Sequence, residues 1–200
     1  MALPTLRTIG FIIGIFLITL AISMAIPMLT LLIFEHPEDL NAFLWSSLIT
    51  LITGLALVVP GRPQNAQLRP RDMYLLTTGS WTVVCAFAAL PLMLIAHISY
   101  TDAIFETMSG ITTTGSTVLV GLDSMSPGIL IWRSMLHWLG GIGFIGMAVA
   151  ILPLLRVGGM RLFQTESSDW GEKVMPRSHM AAKYLLLIYL ALTLLGFLAF

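Results

Sequence analysis

Five long runs of apolar residues, separated by short polar segments, constrain the fold of this chain more than any other feature of its sequence. They cover residues 9–34, 40–60, 73–98, 127–155 and 181–200. A helix needs about 20 apolar residues to cross a hydrocarbon core of about 30 Å. Moreover, 57% of the residues are hydrophobic and only 10% are charged, against about 45 to 50% and 25% in soluble domains. The sequence therefore excludes a soluble fold and predicts an all-α polytopic membrane protein.

Basic and acidic residues lie at opposite ends of these runs. The basic set is Arg7, Arg62, Arg69, Arg71, Arg156, Arg161, Lys173, Arg177 and Lys183, and the acidic set is Glu35, Glu38, Asp39, Asp102, Glu106 and Asp123. Cytoplasmic loops of membrane proteins carry an excess of lysine and arginine. We therefore expect the N-terminus and the loops at 61–72 and 156–183 to be cytoplasmic, and the acidic loops to face outward.

The segment between the third and fourth runs is expected not to cross the membrane. The runs at 73–98 and 127–155 alternate in direction only if residues 99–126 enter and leave on the outer side. This segment begins with Ser99-Tyr-Thr-Asp102, whose side chains can cap the exposed amides of a helix. About ten helical residues follow and reach about 15 Å, half of the hydrocarbon core. The sequence predicts a re-entrant half-helix.

Small and hydroxyl-bearing residues follow this half-helix: Thr112, Thr113, Thr114, Gly115, Ser116 and Thr117. Non-helical backbone at membrane depth must be buried in protein or line a watery cavity. Carbonyl and hydroxyl oxygens can replace the hydration shell of a cation. Gly115 permits the backbone dihedrals that turn successive carbonyls toward one axis. The C-terminal end of the preceding helix favours a positive charge nearby. We predict a cation filter at 112–117, with Thr113, Thr114 and Gly115 as first choices. The alternative is a threonine-rich outer loop without a ligand.

No catalytic motif accompanies these features. The one cysteine, Cys85, lies in an apolar run, so neither an intrachain disulfide nor a cysteine-rich metal site can form. The sequence lacks His-Glu-x-x-His, Gly-x-Ser-x-Gly and a pair of membrane aspartates, which disfavours an intramembrane enzyme. We expect no cofactor other than a transported ion.

Two ionisable residues inside the fourth run are functional candidates, because charge within the membrane is energetically costly. Arg133 and His137 are four residues apart and therefore share a helix face. For Arg133, three interpretations remain open: extension to the outer interface, pairing with Glu106 or Asp123, and a role in conduction.

Three stretches of the sequence carry a resemblance to a known family. They are FETMSGITTTGST at 105–117, WRSMLHWLGGIG at 132–143 and AILP at 150–153. The chain resembles the TrkH-type potassium uptake proteins of the Trk/Ktr/HKT superfamily over essentially its whole length. In that family, two leading helices precede four helix, pore loop, helix repeats that form one pore.

The resemblance implies a division of the chain into five parts. Residues 1–62 would form the leading transmembrane helix pair and 63–72 a cytoplasmic loop. Residues 73–155 would form the first repeat, with a pore helix at 101–111 and the filter at 112–117. A cytoplasmic connection at 156–180 and the first helix of a second repeat at 181–200 would follow. Since three further filter segments are lacking, we expect this chain to be the N-terminal portion of a longer protein.

The resemblance also implies a function and partners. It implies potassium uptake through backbone carbonyls, by a multi-pass protein of the bacterial inner membrane with a cytoplasmic N-terminus. Besides the lipid bilayer, the implied partners are a cytoplasmic nucleotide-binding regulatory subunit of the TrkA type and a second copy in a homodimer, with no nucleic acid. The alternative is a truncated or accessory membrane subunit with no conduction of its own. Potassium versus sodium preference and channel versus coupled transport stay open.

Overall fold

A computed structural model of the chain describes residues 3–60, 70–151 and 171–199. Residues 61–69 of the predicted basic loop at 61–72 and residues 156–170 of the predicted connection at 156–180 lie outside these residues. All regular elements in the described ranges are helical, and two of them are short 3₁₀ helices, at Pro37–Asp39 and Leu122–Ser124. The α-helices are α1 (Leu3–Ser23), α2 (Ala25–Ile33), α3 (Leu40–Val58), α4 (Pro70–Ala96), α5 (Tyr100–Ile111), α6 (Pro127–Ile151) and α7 (Gly171–Ala199).

Several of these helices have the length and composition of membrane spans. Among the described residues, three stretches can cross a membrane: Leu6–Ile33, Pro37–Val58 and Arg71–Ala96. A shorter apolar helix covers Lys183–Ala199. The prediction of an all-helical, multi-pass membrane protein is confirmed at this level.

The chain divides into two compact units, Met1–Trp138 and Leu139–Phe200. In the first unit, α1 packs against α3 and α4, and α4 also packs against α3 and α5. Its buried core is formed by Ile13, Leu17, Leu20, Met24, Leu31, Phe43, Cys85, Ala88, Ala89, Leu92, Ala103, Ile111, Ile129, Trp132 and Leu136. In the second unit, Tyr189 of α7 lies against Gly141, where an added Cβ would come within 2.5 Å of the tyrosine hydroxyl.

The first apolar run forms two helices with a break between them. α1 ends at Ser23, Met24 forms a turn, and α2 begins at Ala25. Pro27 stands four residues after Ser23, where a regular helix would have an N–H that donates to the Ser23 carbonyl. Proline has no N–H, and its ring would clash with that carbonyl. Helical bonding then resumes, with the Met28 amide donating to the Met24 carbonyl at 3.3 Å. The break is therefore a proline kink.

Two helices begin earlier than the sequence predicted. α4 starts at Pro70, within the predicted loop at 63–72, and α7 starts at Gly171, within the predicted connection at 156–180. Proline at the first helical position loses no intrahelical bond, and Asp72 in the first turn complements the helix dipole. Hydropathy marks where a helix enters the hydrocarbon region, and helical hydrogen bonding can begin well before that point. Boundaries drawn from apolar runs were therefore too late.

The backbones of α1 and α3 approach each other closely at Gly14 and Gly54. A Cβ on Gly14 would lie 2.8 Å from the Gly54 carbonyl oxygen, and a Cβ on Gly54 would lie 3.0 Å from the Gly14 carbonyl oxygen. Small residues allow this approach in membranes, where packing drives helix association. Gly10 and Gly14 are four residues apart and therefore share one face of α1. Gly10 lies at the edge of the contact, since its added Cβ would be 3.9 Å from Leu57.

Gly14→Ala should destabilise the protein by about 1–3 kcal/mol, because the added methyl group must displace the Gly54 backbone. Gly10→Ala is the matched control, since its methyl group meets only ordinary van der Waals contact and alanine favours a helix. The measurement is the thermal unfolding midpoint of the detergent-solubilised protein, followed by circular dichroism. Equal midpoints for the two variants would contradict the close crossing.

Candidate cation-binding segment

The short helix α5, Tyr100–Ile111, begins with a side-chain cap. Ser99 Oγ accepts a hydrogen bond from the Asp102 amide at 3.1 Å and donates to the Asp102 carboxylate at 2.7 Å. The 12 residues of α5 extend about 18 Å, well short of the roughly 30 Å of a hydrocarbon core. The short capped helix that the sequence indicated is therefore present.

Side chains of α5 and α6 donate hydrogen bonds to carbonyls of α4. These carbonyls lie in the two turns before Pro91, which has no N–H and interrupts the hydrogen bonding of α4. The bonds run from Thr107 to Cys85, from Tyr100 to Ala86 and from Trp132 to Ala88, at 2.9–3.1 Å. Backbone groups in a membrane need such internal partners, and these bonds fix α5 and α6 against α4.

α5 ends in a Schellman motif that contains a strained residue. The Thr113 amide donates to the Gly110 carbonyl and the Thr114 amide to the Ser109 carbonyl, both at 2.9 Å. The motif needs a left-handed residue just after the cap, usually glycine, and here Thr113 takes that role with φ 57°. A residue with a Cβ is destabilised there by about 1–2 kcal/mol. Such strain is concentrated at functional sites.

Beyond this motif the backbone has no regular secondary structure from Thr114 to Val120. Gly115 has φ 80°, and a Cβ added to it would meet nothing within 4 Å. Glycine is therefore needed at this position for its backbone conformation and not for lack of space. This is the position that the sequence indicated as the turning point of the strand.

The polar atoms of the predicted filter residues differ in their contacts. The Ser116 carbonyl accepts a hydrogen bond from Ser109 Oγ at 2.6 Å, and Thr117 Oγ1 donates to Glu106 Oε1 at 2.6 Å. In the part of the chain that the structure describes, no hydrogen bond reaches the carbonyls of residues 113–115. The geometry thus separates two parts of the segment. Residues 116–119, which the predicted orientation makes the outer half, are fixed by hydrogen bonds to α5. Residues 113–115, the inner half, have carbonyl oxygens that can accept a ligand.

Glu106 connects the outer half to α6. Its side chain is only 1% exposed, and its Oε1 atom accepts hydrogen bonds from Thr117 Oγ1, from the Val118 amide and, at 3.3 Å, from the Leu119 amide. Its Oε2 atom lies 3.2 Å from Nη2 of Arg133. Of the interpretations left open for Arg133, the structure shows the pairing with Glu106.

Sequence reasoning did not single out Ser109. It follows Glu106 by three residues, so the two side chains share a face of α5, and both reach the returning strand. This spacing is the signal that could have indicated it. His137, by contrast, places its Nδ1 atom 2.9 Å from the Arg133 carbonyl of its own helix.

A capped short helix followed by an irregular segment, set among helices long enough to span a membrane, is an arrangement that ion-conducting membrane proteins use. Comparison with known families gives a specific assignment. The profile of TrkH, described as a cation transport protein, matches residues 40–200. The chain belongs to the TrkH family.

Individual relatives agree with this assignment. The Trk system potassium uptake protein TrkI of Halomonas elongata is 47% identical over 190 residues, which are 94% of this chain and 38% of the relative. TrkH of Escherichia coli K12 is 41% identical over 191 residues, 94% of this chain and 39% of the relative. The crystal structure of the potassium transporter TrkH from Vibrio parahaemolyticus matches with a TM-score of 0.79 at 37% identity, over 94% of this chain and 38% of that one. The chain spans about two fifths of the length of these relatives.

Thr113→Gly should relieve the backbone strain after α5. Thr114→Gly has no left-handed residue to relieve; it adds flexibility to the unfolded chain and removes the 2.8 Å hydrogen bond between the Thr112 and Thr114 hydroxyls. We expect Thr113→Gly to be more stable than Thr114→Gly by about 1–2 kcal/mol. The measurement is again thermal unfolding in detergent. If Thr113→Gly unfolds at the lower temperature, the left-handed assignment of Thr113 is wrong.

Proposed function

We propose that the chain contributes to the transmembrane subunit of a Trk-type system that takes up potassium through a pore lined by backbone carbonyls. The observation that carries this proposal is the short helix that leads into a strand with free carbonyls at Thr113, Thr114 and Gly115, while neighbouring groups are hydrogen-bonded. The names of the Halomonas and Escherichia relatives, which are potassium uptake proteins, support the choice of ion.

The chemistry of the segment suits a cation. A partly dehydrated potassium ion needs several oxygen ligands, which carbonyl dipoles supply without a full negative charge. The C-terminal end of α5 adds partial negative charge close to these carbonyls. We assign direct coordination to residues 113–115. Thr112, Ser116 and Thr117 have supporting roles, because Thr112 caps α5 and the Ser116 carbonyl and Thr117 hydroxyl are already bonded.

One strand supplies ligands from one side only, so a complete filter needs equivalent segments from elsewhere. Residues 112–118 are exposed in the described structure, as expected for a strand that other segments cover. We therefore include in this proposal the division into a leading helix pair, a first repeat and the start of a second repeat. The proposal also includes an inner-membrane location with a cytoplasmic N-terminus, a homodimer and a TrkA-type regulatory subunit.

A second candidate is a membrane subunit that does not conduct by itself. The exposure of the filter strand favours it. Potassium flux into liposomes that contain only this 200-residue chain would distinguish the two, because the conducting alternative requires flux from self-assembled chains.

Gly115→Ala should lower potassium uptake at least about tenfold, since a strained residue at φ 80° would rearrange the carbonyls around it. Gly121→Ala is the matched control, because Gly121 has φ 73° and lies in the loop before α6. Both glycines have a positive φ, so each variant carries a backbone penalty. Uptake is measured in bacteria that lack their own potassium transport, with the complete natural gene product that contains this sequence.

Normal uptake by Gly115→Ala at wild-type protein levels would show that the filter assignment is wrong. An equal loss in both glycine variants would indicate general strain and would contradict a filter role specific to Gly115.

A further inference from the structure

We propose that Glu106 and Arg133 are positioning residues that set cation selectivity: Glu106 fixes residues 117–119 of the filter strand through hydrogen bonds, and Arg133 pairs with Glu106. The inference rests on the function proposed above. It concerns a pair of charged groups that is bonded to residues 117–119 of the strand and need not touch the ion.

The two oxygens of the Glu106 carboxylate have different partners. Oε1 receives hydrogen bonds from Thr117 Oγ1 and from the Val118 amide. The Leu119 amide is shared between Oε1, at 3.3 Å, and Thr117 Oγ1, at 3.1 Å. Oε2 faces the guanidinium of Arg133 on α6. The returning strand is therefore tied to α5 and α6 through one side chain, directly after the carbonyls assigned to the ion.

Arg133 offsets the energetic cost of burying the Glu106 carboxylate. A buried carboxylate without a partner is strongly destabilising, and the Glu106 side chain is 1% exposed. Arg133, 15% exposed, neutralises that charge, so the pair adds no net charge behind the strand. The attraction for a cation then comes from the carbonyls and the end of α5, while the pair fixes where those carbonyls stand.

A simple structural salt bridge would not require this geometry. Ion pairs that only join two helices contribute little, and buried pairs can often be replaced by apolar residues without loss of stability. Here the strand supplies N–H and O–H donors, so position 106 must provide an acceptor. An exchange of the two charges would keep the ion pair but would place arginine donors against the donors of the strand.

Four variants separate these roles: Glu106→Gln, Glu106→Leu, the exchange Glu106→Arg with Arg133→Glu, and Asp123→Asn. Glutamine keeps an acceptor for the strand, and leucine removes it. Asp123→Asn is the charge-removal control, because Asp123 is exposed in the loop before α6. All are made in the complete natural gene product, with membrane levels checked for each.

The readout is the ratio of potassium to sodium uptake, together with the KM for potassium. We expect Glu106→Leu and the charge exchange to reduce the ratio at least about tenfold, consistent with the loss of hydrogen bonds to a charged group. The potassium-to-sodium uptake ratio of Glu106→Gln should lie between the ratios of these two variants and that of the wild type. The ratio of Asp123→Asn should equal that of the wild type. Restoration of the ratio by the charge exchange, or an unchanged ratio in Glu106→Leu, would overturn the proposal.

Hydrogen exchange gives a second measurement that does not depend on transport. The amides of Val118 and Leu119 should be protected in the wild type, and they should exchange faster in Glu106→Gln and still faster in Glu106→Leu. Unchanged protection in Glu106→Leu would refute the bracing role. If the wild type takes up no potassium but shows this protection, the proposed function is wrong, while the positioning of the strand by Glu106 is supported.

Discussion

The buried carboxylate of Glu106 is the contact on which the geometry of the returning strand depends. A strand that leaves a half-helix at membrane depth has no sheet neighbour to bind its amides, and each unsatisfied amide is destabilising in an apolar environment. Glu106 supplies one acceptor for the Val118 and Leu119 amides and for the Thr117 hydroxyl. Because this acceptor sits in the middle of a capped helix, the position of the strand follows from the position of α5.

α5 is in turn fixed by the backbone of α4. The hydrogen bonds from Thr107 and Tyr100 end on α4 carbonyls, as does the bond from Trp132 of α6. The Trp132 ring also packs edge-on against Phe43, with ring centroids 6.0 Å apart. These three acceptors keep helical donors at Ala89, Leu90 and Leu92 and are not the Phe87 carbonyl that Pro91 leaves without one. Each accepts the side-chain donor through its second lone pair, and α5 is anchored to α4 in this way.

The features that sequence reasoning found are those with a strong local signal. The length of the apolar runs predicted the spans, Ser99 and Asp102 indicated the start of α5, and Gly115 indicated a backbone conformation that only glycine readily adopts. Other features depend on contacts between distant residues. Gly54 acquires its role from Gly14 on another helix, and the early start of α7 is not visible in hydropathy. Thr113 could not be predicted, since threonine gives no local sign of a left-handed conformation.

The choice of arginine at position 133 follows from the same charge argument. Its guanidinium is always protonated and is less strongly hydrated than an ammonium group, so it tolerates partial burial better than lysine. With one permanent positive charge opposite Glu106, the region behind the strand is neutral whether or not an ion is present. Carbonyl dipoles favour a cation only to the extent that they are correctly spaced, because they carry no net charge. In the proposed filter, selectivity is then a matter of backbone position, to which the proposal assigns Glu106, Arg133 and the strained Thr113.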